Sequence, residues 1–130
     1  MTDRLGPVTL LLVGAGGFFG AIARYALDGW VARFSGGGFP WGTLVVNVSG
    51  SFALGALFAL TVERGVLPTE VRAPLMIGFI GAYTTFSTLM LESWRLVEAG
   101  APVIGVANIV GSSVLGMVAV AGGLAIGRVI

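Results

Sequence analysis

Four stretches of roughly 20 mainly apolar residues, at about 7–27, 41–62, 74–97 and 101–127, leave this chain few ways to fold. A run of that length spans the hydrocarbon core of a bilayer as a helix. In lipid, only helices and closed barrels satisfy every backbone polar group internally. Charge supports the same reading, with seven cations and six acids in 130 residues and a mean hydropathy of +1.00. Soluble proteins carry roughly a quarter of charged residues. The expected fold is therefore an all-α membrane protein, residues 1–130 forming a single four-helix domain.

The segments between the spans read as turns. They are SGGGFP at 35–40, ERGVLPTEVR at 63–72 and EAGAP at 98–102, each rich in residues that stop helices. The third is short enough to force spans three and four into an antiparallel hairpin. The first span, with Arg4 before it and AIA at 21–23, has the outline of a cleaved signal peptide, but glycines make it a poor one. Retaining it gives an even number of spans, with both termini on one face.

Composition removes most chemistry. The chain has no Cys, His or Lys, which excludes disulfides, thiol or imidazole metal sites, Ser-His and Cys-His triads and a Schiff-base lysine. No paired acid and base and no phosphate-binding loop can be assembled, so neither an enzyme nor a nucleotide-driven pump is expected. The scattered arginines form no basic surface for nucleic acid.

Orientation is left open by charge. Arg4, Arg64, Arg72 and Arg128 fall on the face of the termini, and Arg24, Arg33 and Arg95 on the other. Such balance suits a chain that inserts both ways round and pairs antiparallel. It equally suits one orientation fixed by one or two arginines and the terminal amine.

Shifting the chain by 61 residues aligns GFFGA at 17–21 with GFIGA at 78–82, and NVSGSFALG at 47–55 with NIVGSSVLG at 108–116. Duplication and shared composition both account for the echo. Either way, spans two and four each carry an Asn followed by a small-residue seam, Ser51 to Gly55 and Ser112 to Gly116, of the kind that packs membrane helices. A carboxamide in hydrocarbon needs a partner, so Asn47 is interhelical glue or part of a polar pathway. Asn108, nearer the end of its span, reads more as glue.

Span three carries GFIGAYTTFSTLM at 78–90. At helical spacing Gly81, Thr85, Thr88, Glu92 and Arg95 share a face, with Thr84 and Ser87 beside it. Local hydroxyl bonds to helix carbonyls explain one or two of these residues; the full ladder suggests a wet path. Glu92 is either paired with Arg95 or functional. Gly78 and Gly81, followed by hydroxyl residues, suggest a helix break whose carbonyl oxygens hold a small cation such as Na⁺.

In order and spacing, GGFFGAIARY at 16–25, GTLVVNVSGSFALG at 42–55 and GFIGAYTTFST at 78–88 resemble the signatures of the Fluc/CrcB family of fluoride channels. The resemblance covers essentially the whole chain, and its third signature is the most specific. It implies a multi-pass protein of the plasma membrane that passively exports fluoride and protects the cell. It also implies an antiparallel, dual-topology homodimer of four-helix subunits with a break in the third helix, two pores and a structural Na⁺ on the dimer axis. By the same resemblance, the Gly81 and Thr84 carbonyls hold the sodium, Asn47 and Phe86 line the fluoride path, and Arg24 lies near an aqueous vestibule. Thr43, Ser87, Thr88 and Glu92 belong to the polar track, joined from span four by Asn108 and Ser112. The sequence departs from the family at Leu89, where a second pore phenylalanine is expected. Rival readings are a small multidrug-type proton-coupled exporter, which lacks the necessary acid in span one before Asp28, and a non-conducting assembly subunit.

Overall fold

In the computed structural model, which describes residues 4–130, helices account for nearly the whole chain. Helix α1 spans Pro7–Ser35. Helix α2 spans Trp41–Phe58 and runs on into a π-helical turn at Ala59–Glu63. After a short 3-10 turn at Thr69–Val71 comes α3, a π-helical Ala73–Ile80 continued by α-helical Gly81–Tyr83. Helix α4 is Phe86–Glu98 and α5 is Pro102–Val129. Four stretches are long and apolar enough to cross a membrane: Pro7–Ser35, Trp41–Glu63, Thr69–Glu98 and Pro102–Val129.

The first span runs two turns beyond its expected end near residue 27. Asp28 and Arg33 are polar but compatible with a helix, and nothing breaks it until Gly36, which adopts φ 71° and reverses the chain. At 1.5 Å per residue α1 is about 43 Å long, enough to reach through both headgroup regions. Its last turn therefore carries Arg33 beyond the hydrocarbon, with Asp28 near its edge. Gly100, at φ 84°, makes the tight turn between α4 and α5.

Packing follows the membrane logic rather than that of a soluble core. Among the described residues only Val46, Ala59, Ile80 and Leu89 are buried apolar side chains, while Thr43, Thr61, Ser93, Asn108 and Ser112 are buried polar ones. Large apolar side chains face outward, where lipid or another chain would cover them. The helices instead meet through glycine. Helix α1 lies against α3, and α2 against α5. A Cβ at Gly20 would collide with Phe79 O, and one at Gly123 with Phe52 O, so at both places backbone rests directly on backbone. The expected seam holds at Gly55, where a Cβ would collide with Val120 O, and is looser at Gly116, whose nearest neighbour is Ser51 Oγ at 3.6 Å. Both helix pairs join segments related by the 61-residue echo; Gly17 and its counterpart Gly78 meet across α1 and α3, with 3.6 Å from a Cβ on Gly17 to Gly78 O.

At the end carrying the second loop, polar ties lock α2 to α5. Arg128 Nε and Nη2 donate to Glu63 Oε2 and Oε1 at 2.7 and 2.8 Å, and Arg64 Nη1 donates to Gly127 O at 3.0 Å. Arg72 Nη2 donates to Thr61 O at 2.7 Å, joining the start of α3 to the same cluster.

The third span is broken, but not at its glycines. Gly81 is helical, at φ −62° and ψ −36°, and Gly78 lies inside the π-helical stretch. The break falls at Thr84 (φ −80°, ψ 155°) and Thr85 (φ −149°, ψ 112°), both extended. Gly78 serves packing instead: a Cβ there would stand 2.6 Å from Val13 O on α1. What ends α3 is competition by hydroxyls and a carboxamide for the backbone.

Candidate ion pathway

The break is held from both sides by side chains. Thr84 Oγ1 folds back to donate to Ile80 O at 2.9 Å. Thr85 Oγ1 caps α4, accepting from Thr88 N–H at 3.3 Å and donating to Thr88 Oγ1 at 3.0 Å. Across the gap, Asn47 on α2 pairs with the Thr85 peptide: Nδ2 donates to Thr85 O at 3.0 Å, and Thr85 N–H donates to Oδ1 at 2.7 Å. Gly50 allows this approach, because a Cβ there would collide with Thr84 Cγ2.

These bonds divert donors from the helix ladder. In a continuous helix Thr85 N–H would reach Gly81 O, and Thr88 N–H would reach Thr84 O. Asn47 and Thr85 take those donors, so the two carbonyl oxygens lose their helical partners. A third carbonyl near the gap, Ala82 O, accepts from Arg24 Nε at 3.0 Å. Arg24 thus caps the exposed end of α3, where a cation is favoured by the helix dipole. It is not among the residues lining the cavity described next.

One turn from the Asn47 pair, on the same faces of α2 and α4, Thr43 Oγ1 donates to Glu92 Oε1 at 2.9 Å. The two rungs, Asn47–Thr85–Thr88 and Thr43–Glu92, form a polar ladder between these helices. It opens into a cavity of about 440 Å³ beneath the first loop, lined in part by Glu92, Asp28, Arg95 and Gly42. Of the two readings of Glu92, the pair with Arg95 does not form; among the described residues the ion pair is Glu63 with Arg128. The second carboxylate oxygen, Oε2, is buried without a partner.

Asn108 and Ser112 lie elsewhere. Asn108 Nδ2 donates to Ser93 Oγ at 2.9 Å, Ser93 donates on to Leu89 O at 2.7 Å, and Ser112 donates to Asn108 Oδ1 at 3.4 Å. All three side chains are buried, forming a closed cluster between α4 and α5. Phe86 is 75% exposed and Ser87 is exposed, both on the outer surface of the single chain. Leu89, by contrast, is buried within it.

Sequence reasoning did not single out Ser93, although Asn108 needed a buried partner and a serine one helix away is the obvious kind. It placed Thr85 on the polar stripe without seeing its role as cap and as partner of Asn47. The TT pair before Phe86 was the available signal, since extended backbone followed by a Thr cap is a common way to restart a helix.

The chain is similar over most of its length to known proteins. The family described as CrcB-like protein, Camphor Resistance (CrcB), matches residues 11–124. A protein of Hahella chejuensis named Fluoride-specific ion channel FluC is 45% identical over 121 residues, 93% of this chain and 95% of the relative. One of the same name from Solidesulfovibrio magneticus is 43% identical over the full length of both chains, and one from Rhizobium meliloti is 44% identical over 92% of this chain and 95% of its own. With matches this extensive, the chain belongs to the CrcB-like family.

Proposed function

We propose that this chain is a fluoride-selective passive channel of the plasma membrane, acting as an antiparallel pair of identical subunits and letting fluoride leave the cytoplasm. The observation that carries the reading is the ladder of donors between α2 and α4 at a broken helix, in a chain whose full-length relatives are named fluoride-specific channels. It is a transport protein rather than an enzyme.

Fluoride is small, strongly hydrated and a hydrogen-bond acceptor, so shedding water requires donors close at hand. Asn47 uses one Nδ2 hydrogen on Thr85 O and keeps a second. Thr88 accepts from Thr85 and keeps its own hydroxyl hydrogen to give. Thr43 connects this region to Glu92 and the cavity. Outside the ladder, Phe86 presents an aromatic edge, whose positive rim faces an anion favourably, with the Ser87 hydroxyl beside it. With leucine at 89 buried, Phe86 is the ring of that pair left to do so. Asn108 and Ser112 support the track from the α4–α5 cluster. Neutral donors bind firmly enough to admit the ion and weakly enough to release it, as conduction demands.

The Gly81 and Thr84 carbonyls suit a sodium ion: two hard oxygens deprived of helical donors, doubled by a second antiparallel subunit. When bound there, sodium would supply a fixed positive charge that offsets the desolvation of nearby anions. The exposed Phe86 face and the near-balanced arginines favour that pairing.

The reading is tested by fluoride efflux from liposomes holding the purified protein, with valinomycin carrying K⁺ and a fluoride electrode as detector. Rapid fluoride release without chloride release is the expected result. Folded, sodium-supplied protein that releases no fluoride would overturn the homomeric channel and favour a subunit that needs a different partner.

A further inference from the structure

The carboxylate of Asp28 has no task in this pathway, yet it sits at the pathway's mouth. It lines the cavity under the first loop together with Glu92, Arg95 and the start of α2 at Trp41 and Gly42. Its seat is specific. A Cβ on Gly42 would collide with Asp28 Oδ1 and stand 2.9 Å from Cγ, so glycine is what lets the carboxylate lie against the first turn of α2. The amino end of this 18-residue helix attracts negative charge. Here a side chain of the protein takes the position that an entering anion would favour. Among the described residues Asp28 enters no ion pair, so its charge acts on the cavity rather than being cancelled by a partner.

We propose that Asp28 is an electrostatic brake on anion entry at the loop-one mouth, set in place by Gly42 at the amino end of α2. The inference rests on the fluoride-path reading above. With Asp28 present the mouth holds two carboxylates against one guanidinium, and local fluoride is depleted. Without its charge, Glu92 and Arg95 balance and the amino end of α2 is uncovered. Flux through the mouth then rises. Because the effect is a field across an aqueous cavity, salt must weaken it: the screening length falls from about 30 Å at 10 mM to about 8 Å at 150 mM.

The test compares fluoride efflux of the wild type, Asp28→Asn and Arg95→Gln in liposomes at about 10 mM and about 150 mM of an impermeant salt. At low salt Asp28→Asn is expected to conduct about two- to fivefold faster and Arg95→Gln slower by a similar factor, the size of effect that exposed charges command. Both differences shrink toward the wild type at the higher salt. Equal rates for Asp28→Asn and the wild type at low salt would overturn the proposal. So would a change that persists unaltered at high salt, or the same direction of change in both variants, since each marks a packing effect instead of a field. A wild type that conducts while Asp28→Asn does not differ leaves the channel reading intact and removes only the brake. A wild type that releases no fluoride removes both.

Discussion

Asn47 and Thr85 exchange two hydrogen bonds, at 2.7 and 3.0 Å, so that a side-chain amide on one helix completes the backbone of another where that backbone leaves the helical ladder. A membrane interior offers no water to do this, and an unpaired amide there is costly. The break in the third span therefore depends on a residue 38 positions away.

Replacing Asn47 by Ala leaves the Thr85 N–H and C=O without partners and is expected to destabilise the fold by about 1–3 kcal/mol. Asn47→Asp keeps the acceptor for Thr85 N–H and loses the donor to Thr85 O. Thermal unfolding in detergent should place the wild type highest, and fluoride efflux should fall in both variants. An Asn47→Ala protein that melts with the wild type would show that the pairing does not hold the break.

Much of this was legible in the sequence and some was not, for physical reasons. Hydropathy marks the spans because the bilayer imposes one length scale, and the polar run at 84–88 stands out because lipid penalises it. The position of the break was not readable. Gly78 and Gly81 look like helix breakers, but glycine in a membrane helix more often serves close packing, as Gly78 does against Val13 O. The break combines a local Thr85 cap, which the TT pair signals, with a contact from Asn47 on α2, which no local pattern encodes. Nor does spacing along one helix reveal that Asn108 turns into a closed cluster with Ser93 while Asn47 faces the gap.

Adjacent glycines on α5 should respond unequally to the same change. A Cβ at Gly123 collides with the Phe52 carbonyl oxygen, whereas one at Gly122 meets the Phe52 ring at 3.8 Å, an ordinary contact. Gly123→Ala is expected to force α2 and α5 apart and cost about 1–3 kcal/mol. Gly122→Ala should be close to neutral. Unfolding in detergent, measured side by side, distinguishes them, and equal behaviour would mean that the helices do not touch along this seam.

The orientation of insertion can be read directly because the chain has no native cysteine. Gly38 lies in the first loop, where a Cβ would have open space around it, so Gly38→Cys should leave the fold undisturbed. In intact cells, an impermeant thiol reagent is expected to label about half of this single cysteine, and the rest only after the membrane is opened, as dual topology requires. Labelling that is complete, or absent, in intact cells would instead fix one orientation.

Sodium removal is the sharpest test of the break's chemistry. Because the proposed ligands are the Gly81 and Thr84 carbonyl oxygens, side-chain changes that keep the backbone should not abolish binding. Thr84→Val loses only the hydroxyl bond to Ile80 O and should retain a sodium response. Replacing Na⁺ with a bulky organic cation should lower both melting temperature and fluoride efflux in the wild type and in Thr84→Val alike. At a sodium concentration about 100 times the dissociation constant, the stabilisation lost would be about 2.7 kcal/mol. Asn47→Ala should blunt the response, since the break that frees the Gly81 and Thr84 carbonyls loses its tie to α2. A wild-type melting temperature indifferent to sodium would leave those two carbonyls with no ion to hold.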